Sequence, residues 1–336
     1  MASTAGSRVD GAGTPISEQA ASLSAEAIRS AAKALEGVAL TTPLLSVPAL
    51  NSAAKVPVRL KCEHLQPVGA FKLRGAYTAI FRLPPSLRDR GVITYSSGNH
   101  GQAVAFAARL LGIRAVVVMP QRAPAIKVAG VKRLGGEVVI AGNSSAERYE
   151  QARRMAEEQG LAMVPPYESL DVIAGQATCG MEILEAYPEV ETIIVPVGGG
   201  GLIAGVAAAV AAFKPKVRVI GVEPVGAPKL ARALEAGRPV LLDHTESVAD
   251  GLLPLAIGQL PFSILSGSVH EAVQVTEPEI VDAVRFLYRE ADLTVEPSGA
   301  VTTAALLTGR VAPVGPTVAV VSGGNVDPDL FQRLVQ

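Results

Sequence analysis

Short apolar segments alternate with longer amphipathic segments along most of this chain, and this alternation limits the possible folds more than any other feature. A strand that is apolar on both faces has to be covered on both faces, as helices cover a parallel sheet. The pattern therefore predicts an α/β fold with open twisted sheets flanked by helices. The predicted strands are Val58 to Lys61, Val92 to Tyr95, Ala115 to Met119, Glu137 to Ile140, Thr192 to Val197, Val217 to Val222 and Thr317 to Val321. The predicted helices include Gly101 to Leu111, Ala125 to Leu134, Ser145 to Glu158, Leu202 to Ala212 and Pro278 to Glu290.

The predicted strands and helices fall into two groups, which indicates two domains. We expect residues 90–163 to form a smaller domain that is inserted into a larger one, made of residues 18–89 and 164–336. Near the start, Ser24, an apolar periodicity and Gly37 predict a capped helix with a glycine stop. Residues 1–17 lack the basic start and the apolar run of a secretory signal, so we predict a flexible tail.

Composition excludes several classes of partner. The formal net charge of −1 over 336 residues gives no basic surface for nucleic acid. The two cysteines, Cys62 and Cys179, lie far apart and without paired histidines, so a reducing cytoplasmic setting fits best. Ile193 to Phe213 carries no charge, but Pro196 and four glycines interrupt it. We therefore expect no membrane span.

Lys72 is the first candidate for chemistry, because its neighbours between Val68 and Gly75 are largely apolar. An amine among apolar residues and beside a second cation, here Arg74, loses its proton more easily than a solvated lysine and can attack an aldehyde. Taken alone, Lys72 is better explained as a surface residue at the start of a helix. Three further segments favour the imine-forming lysine.

All three segments follow predicted strands, where parallel sheets bind ligands. The first is Ser-Ser-Gly-Asn-His, whose hydroxyls and helix-start N–H groups suit a carboxylate or a phosphate. Its candidate residues are Ser96, Ser97, Asn99 and His100. The second is a run of four glycines before the helix from Leu202, which predicts a cup for one small phosphate and not for a dinucleotide or ATP. It comprises Gly198, Gly199, Gly200 and Gly201.

The third segment is Ser322-Gly323-Gly324-Asn325 after the last predicted strand, where a hydroxyl can contact a ligand heteroatom. An amine, a phosphate cup, a carboxylate cradle and a terminal hydroxyl together suit pyridoxal 5′-phosphate and a small amino-acid substrate. The four segments, with Glu63-His64-Leu65-Gln66-Pro67 before Lys72, resemble the threonine dehydratase and serine racemase branch of the fold type II pyridoxal-phosphate enzymes. The resemblance runs from about Leu40 to the C-terminus.

The resemblance implies two open sheets with the smaller domain inserted in the larger, a homodimer and a set of site residues. Lys72 would form the Schiff base with the cofactor and remove the Cα proton of the substrate. The other implied cofactor contacts are Phe71, Asn99 at the ring hydroxyl, Gly198 to Gly201 with Leu202 at the phosphate, Gly251, Glu296, and Ser322 at the pyridine nitrogen. Ser96 to His100 would hold the substrate carboxylate, and Ser97 matches the residue that acts on the opposite face in serine racemases.

The implied reaction is elimination of water from a serine-type or threonine-type β-hydroxy α-amino acid, which yields a 2-keto acid and ammonia. A serine at the pyridine nitrogen makes the ring a weaker electron sink than an aspartate would, which favours elimination over transamination. Serine racemase activity, a bulkier substrate such as phenylserine or hydroxyaspartate, β-replacement as in cysteine synthases, and a noncatalytic ligand-binding relative remain the alternatives. Ala70, where many relatives have serine, motivates the bulkier substrate.

The main departure from the family concerns a divalent cation site, at which this chain lacks one of the ligand residues. Members that bind a cation near the phosphate loop use a glutamate, a backbone carbonyl and an aspartate, which map here onto Glu223, Ala227 and Lys229. An ammonium at a ligand position argues against the metal, so we expect no metal and propose that Lys229 pairs with Glu223. The chain also ends soon after Asn325, which predicts that no regulatory domain follows.

Overall fold

The computed structural model describes residues 23–96, 98–123 and 125–336, and within them the chain alternates between strands and helices. The strands are β1 (Leu44–Ser46), β2 (Val58–Cys62), β3 (Val92–Tyr95), β4 (Ala115–Met119), β5 (Glu137–Ile140), β6 (Ala162–Met163), β7 (Thr192–Pro196), β8 (Arg218–Pro224), β9 (Glu271–Val275) and β10 (Thr317–Val321). The helices are α1 (Ala25–Ala34), α2 (Pro48–Ala54), α3 (Lys72–Phe81), α4 (Pro85–Arg88), α5 (Asn99–Leu110), α6 (Ala125–Arg133), α7 (Ser145–Gln159), α8 (Leu170–Ala186), α9 (Gly201–Phe213), α10 (Lys229–Ala236), α11 (Gln259–Leu265), α12 (Glu277–Ala291), α13 (Pro297–Leu307) and α14 (Pro328–Val335). Short 3-10 helices cover Glu63–Leu65 and Asp250–Leu252.

The strands form two sheets, which confirms the predicted α/β class with two sheets. The larger sheet has the order β1-β2-β10-β7-β8-β9 and is parallel except for the edge pair β1 and β2. The smaller sheet has the order β5-β4-β3-β6 and is parallel throughout. All four strands of the smaller sheet lie between residues 92 and 163, but the domain boundaries themselves stay a prediction.

Both faces of the larger sheet are covered by helices, as the apolar strands require. On one face, Ile194 and Ala319 belong to an apolar layer with α12 and α13. On the other face, their chain neighbours Ile193 and Val320 belong to a second layer with α8 and α9. Successive residues of a strand point to opposite faces, so each strand contributes to both layers. This packing fixes the carboxyl ends of β7 and β10, from which two of the candidate loops start.

The uncharged segment from Ile193 to Phe213 consists of β7, a glycine turn and α9. Pro196 ends the strand and Gly200, with a φ of 96°, is the N-cap of the helix. Across the described residues, no helix combines the length and the apolar composition that a membrane crossing requires.

Several predicted elements differ from the structure. The strands β1, β6 and β9 were not predicted, because β1 and β6 have only three and two residues and β9 is a half-exposed edge strand. Ser24 caps α1 as predicted, with its side chain accepting a hydrogen bond from the Ala27 N–H. The predicted glycine stop was wrong, since α1 ends at Ala34 with Leu35 as its C-cap, and Gly37 lies in the turn that follows.

Candidate active site

Lys72 is the first residue of α3, and its amine points toward the segment that follows β6 of the smaller sheet. The Lys72 Nζ donates a hydrogen bond to the carbonyl oxygen of Pro166 at 3.0 Å, and it lies 5.1 Å from the centre of the Phe71 ring. Removal from water lowers the pKa of Lys72 from 10.5 to about 8. The amine is therefore neutral far more often than that of a solvated lysine at the same pH, and a neutral amine is a nucleophile and a base.

Arg74 does not cause this shift, and the predicted role of a neighbouring cation was wrong. Its guanidinium contacts Glu63 at 2.7 Å and Glu182 at 2.7 Å, and burial alone accounts for the lowered pKa of Lys72. Arg74 is almost fully buried and also donates to Thr178 Oγ1. Because two carboxylates neutralise it, Arg74 fixes the first turn of α3 without repelling the Lys72 ammonium.

The loop after β3 leads into α5, and its Asn99 joins the two sheets. The Asn99 Nδ2 donates to Glu296 Oε1 at 2.7 Å, and Asn325 Nδ2 donates to Asn99 Oδ1 at 2.9 Å. Asn325 also donates to the Val68 carbonyl oxygen at 2.8 Å. In the same loop the Gly98 N–H donates to Ser96 Oγ at 3.2 Å. Ser97, the predicted second catalytic residue, lies outside the described residues.

His100 lies behind this loop and is buried. Its Nε2 is 3.0 Å from the Val164 carbonyl oxygen, to which it donates when that nitrogen carries the proton. Burial lowers the pKa of His100 to about 3, and the charge of Lys72 contributes in the same direction. A histidine in this position is neutral at physiological pH, so it fixes the loop with a hydrogen bond and adds no positive charge for a substrate carboxylate.

The four glycines form a tight turn, in which positions 199 and 200 leave no room for a side chain. A Cβ on Gly199 would lie 2.2 Å from ring carbons of Tyr167, and a Cβ on Gly200 would lie 2.9 Å from Pro261 Cβ. Within the described part of the chain, the N–H groups from Gly198 to Leu202 donate to no protein acceptor, as expected at the N-terminus of α9. Such N–H groups and the helix dipole bind a phosphate.

The end of β10 lies beside the lysine segment. The Phe71 N–H donates to the Ser322 carbonyl oxygen at 3.1 Å, and Ala70 forms a bridge with Gly323. The Ser322 hydroxyl is buried, with the Ser298 carbonyl oxygen 3.5 Å away. Ala70 is itself fully buried, so the structure shows no open space at the position that motivated a bulky substrate.

Glu296 and Gly251 complete the set of predicted residues. Glu296 is buried and precedes α13, and burial raises its pKa to about 8, with a further contribution from the charge of Asp250. Its carboxyl group is therefore mostly protonated at neutral pH. The Gly251 N–H donates to Ser298 Oγ at 2.9 Å, and the Gly251 carbonyl oxygen would lie 3.0 Å from a Cβ on Gly198.

The segment from Val164 to Glu168, which follows β6, was not predicted from the sequence as part of the site. Its carbonyl groups accept hydrogen bonds from His100 and Lys72, and its Tyr167 ring packs against the glycine turn. Glu168 accepts the Leu260 N–H at 2.7 Å. The signal that could have found it is its place after a strand, but a strand of two residues leaves no readable pattern.

A second feature missed from the sequence is an ion pair between the two sheets. Lys127, on α6, donates to Asp250, which precedes Gly251. The Lys127 Nζ lies 3.8 Å from where a Cβ of Gly98 would be, so the pair stands next to the loop after β3. Nothing in the spacing of residues 127 and 250 indicates their contact.

Comparison with known proteins agrees with this geometry. Residues 35–323 match the family described as pyridoxal-phosphate dependent enzyme. The chain is 41% identical over 311 residues to an L-threonine ammonia-lyase of Thermotoga maritima, covering 92% of this chain and 77% of that protein. It is also 41% identical over 295 residues to a serine racemase of Oryza sativa, covering 85% of this chain and 86% of that protein. The structure of maize serine racemase superposes with a TM-score of 0.90 at 38% identity, covering 93% of this chain and 97% of that one.

Proposed function

Since this chain belongs to the family of pyridoxal-phosphate dependent enzymes, we propose that it eliminates water from a β-hydroxy α-amino acid of the serine or threonine type. The products are a 2-keto acid and ammonia. The relatives named L-threonine ammonia-lyase support this reaction. The contacts of the site support it independently.

The residues present fit pyridoxal phosphate. The glycine turn offers unpaired N–H groups to a phosphate, with no Cβ in the way, and Lys72 offers an amine of lowered pKa to the aldehyde. We assign the ring hydroxyl to Asn99 and the pyridine nitrogen to Ser322, and we place Phe71, Gly251 and Glu296 around the ring. The bound cofactor supplies the electron sink for the charge that develops at the substrate Cα.

One observation carries the choice of reaction: the strand end that presents Ser322 is hydrogen-bonded to Phe71, the residue before Lys72. The proposed base and the group that tunes the electron sink are thus held in one unit. A hydroxyl, unlike a carboxylate, does not keep a pyridine nitrogen protonated, which favours elimination over transamination. Lys72 takes the Cα proton, for which its pKa of about 8 is suited near neutral pH.

We place the substrate carboxylate against the loop after β3, at Ser96, Ser97, Asn99 and His100. Lys127 next to this loop is already paired with Asp250, so its ammonium is not free to pair with a second carboxylate on the substrate. The Asp250 carboxylate would also repel such a group, because like charges repel. The pair therefore favours the neutral side chains of serine and threonine over that of hydroxyaspartate.

Racemisation is the second candidate function, because serine racemases are as similar to the chain as threonine ammonia-lyases are. It requires a residue on the face of the substrate opposite Lys72, and Ser97 is the candidate. Both reactions start with proton removal by Lys72. They differ in whether the β-hydroxyl leaves before a proton returns to Cα.

The test is to incubate the cofactor-loaded protein with L-serine, D-serine, L-threonine, hydroxyaspartate and phenylserine, and to measure 2-keto acid release and the chirality of the remaining substrate. We expect keto acid from L-threonine and L-serine, faster than loss of chirality. Racemisation that outpaces keto acid release would replace elimination as the main reaction.

Borohydride reduction should place the cofactor label on Lys72, and Lys72→Ala should abolish keto acid release, whereas Lys216→Ala, at an exposed lysine, should not. A colourless protein that releases nothing would leave the noncatalytic alternative.

We further propose that the protein works in the cytoplasm as a homodimer. The free, buried thiols of Cys62 and Cys179 are compatible with a reducing compartment. Light scattering of the purified protein measures the assembly state, and a monomer at micromolar concentration would contradict the dimer.

A further inference from the structure

A buried cluster lies where β8 ends and α10 begins, close to the glycine turn. Both carboxylate oxygens of Glu223 accept backbone hydrogen bonds from the first turn of α10, from the Leu230 N–H at 2.9 Å and from the Ala231 N–H at 3.0 Å. A carboxylate at a helix N-terminus is favourably placed in the field of the helix. Glu223 is fully buried, so it also needs a positive charge nearby.

That positive charge comes from Lys229, which is itself fully buried. The Lys229 Nζ donates to the Ala227 carbonyl oxygen at 3.0 Å and lies 3.7 Å from Glu223 Oε2. One ammonium therefore contacts a carbonyl of the turn and a carboxylate of the strand. A bound cation would make the same two contacts.

A divalent cation does not fit this cluster. The Lys229 amine already occupies the position that the Glu223 carboxylate and the Ala227 carbonyl oxygen face, and magnesium and calcium bind oxygen ligands, not an ammonium. A second cation would also meet the ammonium at close range. Over the described residues, no group of three or more acidic, histidine or cysteine side chains is arranged to hold a metal ion.

We propose that the Lys229 ammonium is a built-in cation that replaces a divalent metal ion and holds the turn between β8 and α10 against the cofactor site. The turn contacts that site through two connections. The Leu230 side chain packs against Gly221 of β8, next to the side chain of Val197. Val197 directly precedes the glycine turn. The Glu246 N–H donates to the Gly226 carbonyl oxygen at 3.1 Å, at the start of the segment that leads to Gly251.

A cation that is part of the chain cannot be removed by a chelator. The proposal therefore predicts that the stability of the protein and its affinity for pyridoxal phosphate are independent of divalent cations. It does not depend on the class of reaction, because both quantities are measured without substrate. A failure of the proposed elimination reaction would leave it unaffected.

The first experiment compares the wild-type holoenzyme in EDTA and in millimolar magnesium, calcium or manganese, and measures Tm and the dissociation constant of pyridoxal phosphate. We expect no change in either quantity. A rise in Tm or a severalfold tighter cofactor affinity on addition of one of these cations would overturn the proposal.

The second experiment converts the cluster of Glu223, Ala227 and Lys229 into a site for a divalent cation. Lys229→Asp supplies a carboxylate beside Glu223, so we expect a lower Tm and weaker cofactor binding in EDTA, with both restored by magnesium or calcium. Lys229→Met keeps the length but not the charge, and we expect a Tm about 5 to 10 °C lower that no cation restores. Lys216→Met is the matched control at an exposed lysine and should behave as the wild type.

Lys229→Met decides the matter if Lys229→Asp does not fold. A Lys229→Met protein with the Tm and the cofactor affinity of the wild type would show that the ammonium holds nothing, and would overturn the proposal.

Discussion

Lys72 and Arg74 lie two residues apart on the first turn of α3, and their surroundings give their charges different properties. Arg74 has two carboxylate partners, which stabilise its charge in a buried position. Among the described residues, Lys72 has only the Pro166 carbonyl as a hydrogen-bond partner, and its charge is penalised by burial. The sequence places the two residues together, but only the packing distinguishes a charge that is paired from one that is easily lost.

The lowered pKa predicts how cofactor binding depends on pH. Only the neutral amine attacks an aldehyde, so the rate at which apo-protein binds pyridoxal phosphate should rise with pH and level off above a pH of about 8. At pH 7 the rate should be roughly a tenth of its plateau, because one amine in about ten is neutral. Stopped-flow absorbance measures the rate, with Lys72→Ala as the background of the other lysines. A rate that still rises steeply above pH 9 would contradict the shift.

Glu296 gives a second prediction at the scale of one residue. Its pKa is raised to about 8 in the fold, so the folded protein holds a proton that the unfolded chain releases above its ordinary pKa. The folded state of the wild type should therefore lose stability as pH rises from about 4.5 to about 8, and not beyond. Glu296→Gln, which mimics the protonated acid, removes this dependence.

The measurement is the Tm of both apo-proteins from pH 5 to pH 9. We expect the stability of Glu296→Gln relative to the wild type to increase up to a pH of about 8 and then to stay constant. Glu279→Gln is the control, because Glu279 is also a glutamate near a helix start but its pKa is lowered. A pH-independent difference between Glu296→Gln and the wild type would mean that Glu296 is ionised in the fold.

At the scale of elements, the glycine turn is shaped by the residue it packs on. A Cβ at position 199 would collide with the ring of Tyr167, so Gly199→Ala should destabilise the protein by about 1 to 3 kcal/mol, the usual cost of overpacking. It should also weaken binding of pyridoxal phosphate, because the turn has to move. Gly112→Ala has no atom within 4 Å of the new Cβ and should leave cofactor binding unchanged.

A double variant separates the collision from other effects. Tyr167→Ala removes the ring, so Gly199→Ala should cost much less stability in the Tyr167→Ala background than in the wild type. Chemical denaturation of the four proteins gives the coupling between the two positions. Additive effects would show that Tyr167 is not what restricts residue 199.

The elements that the sequence predicted well are those with a strong local pattern. The strands β3, β4, β5 and β10 have the predicted bounds, because each is a short run rich in apolar and β-branched residues, even at the sheet edge where β5 lies. The edge strands β1 and β9 and the two-residue β6 were not predicted, because partial exposure or shortness weakens that pattern. The Ser24 cap could be predicted because a cap is local, whereas the end of α1 depends on packing.

At the scale of the whole molecule, the site forms between the two sheets from segments far apart in the chain. The motifs after β3, β7 and β10 could be predicted as candidate site residues, because ligands bind at the carboxyl ends of parallel strands. The residues that contact these motifs could not be predicted, because contacts such as Asn99 with Glu296 join residues 197 positions apart. Local patterns carry no information on such pairs, and Tyr167, Lys127 and Asp250 were missed for this reason.

The ion pair of Lys127 and Asp250 crosses between the sheets beside the proposed substrate carboxylate, and it predicts how substrate choice can be changed. Asp250→Asn removes the negative charge that occupies Lys127, and it also removes an acidic group that would repel a carboxylate on the substrate. The freed ammonium can then pair with a carboxylate on the substrate side chain. We expect kcat/KM for L-threo-3-hydroxyaspartate relative to L-threonine to rise about tenfold, as one partly buried charge pair provides.

Asp243→Asn, at an exposed aspartate, should leave this ratio unchanged, and adding Lys127→Met to Asp250→Asn should cancel the gain. A ratio that stays constant in Asp250→Asn would mean that Lys127 does not face the substrate side chain.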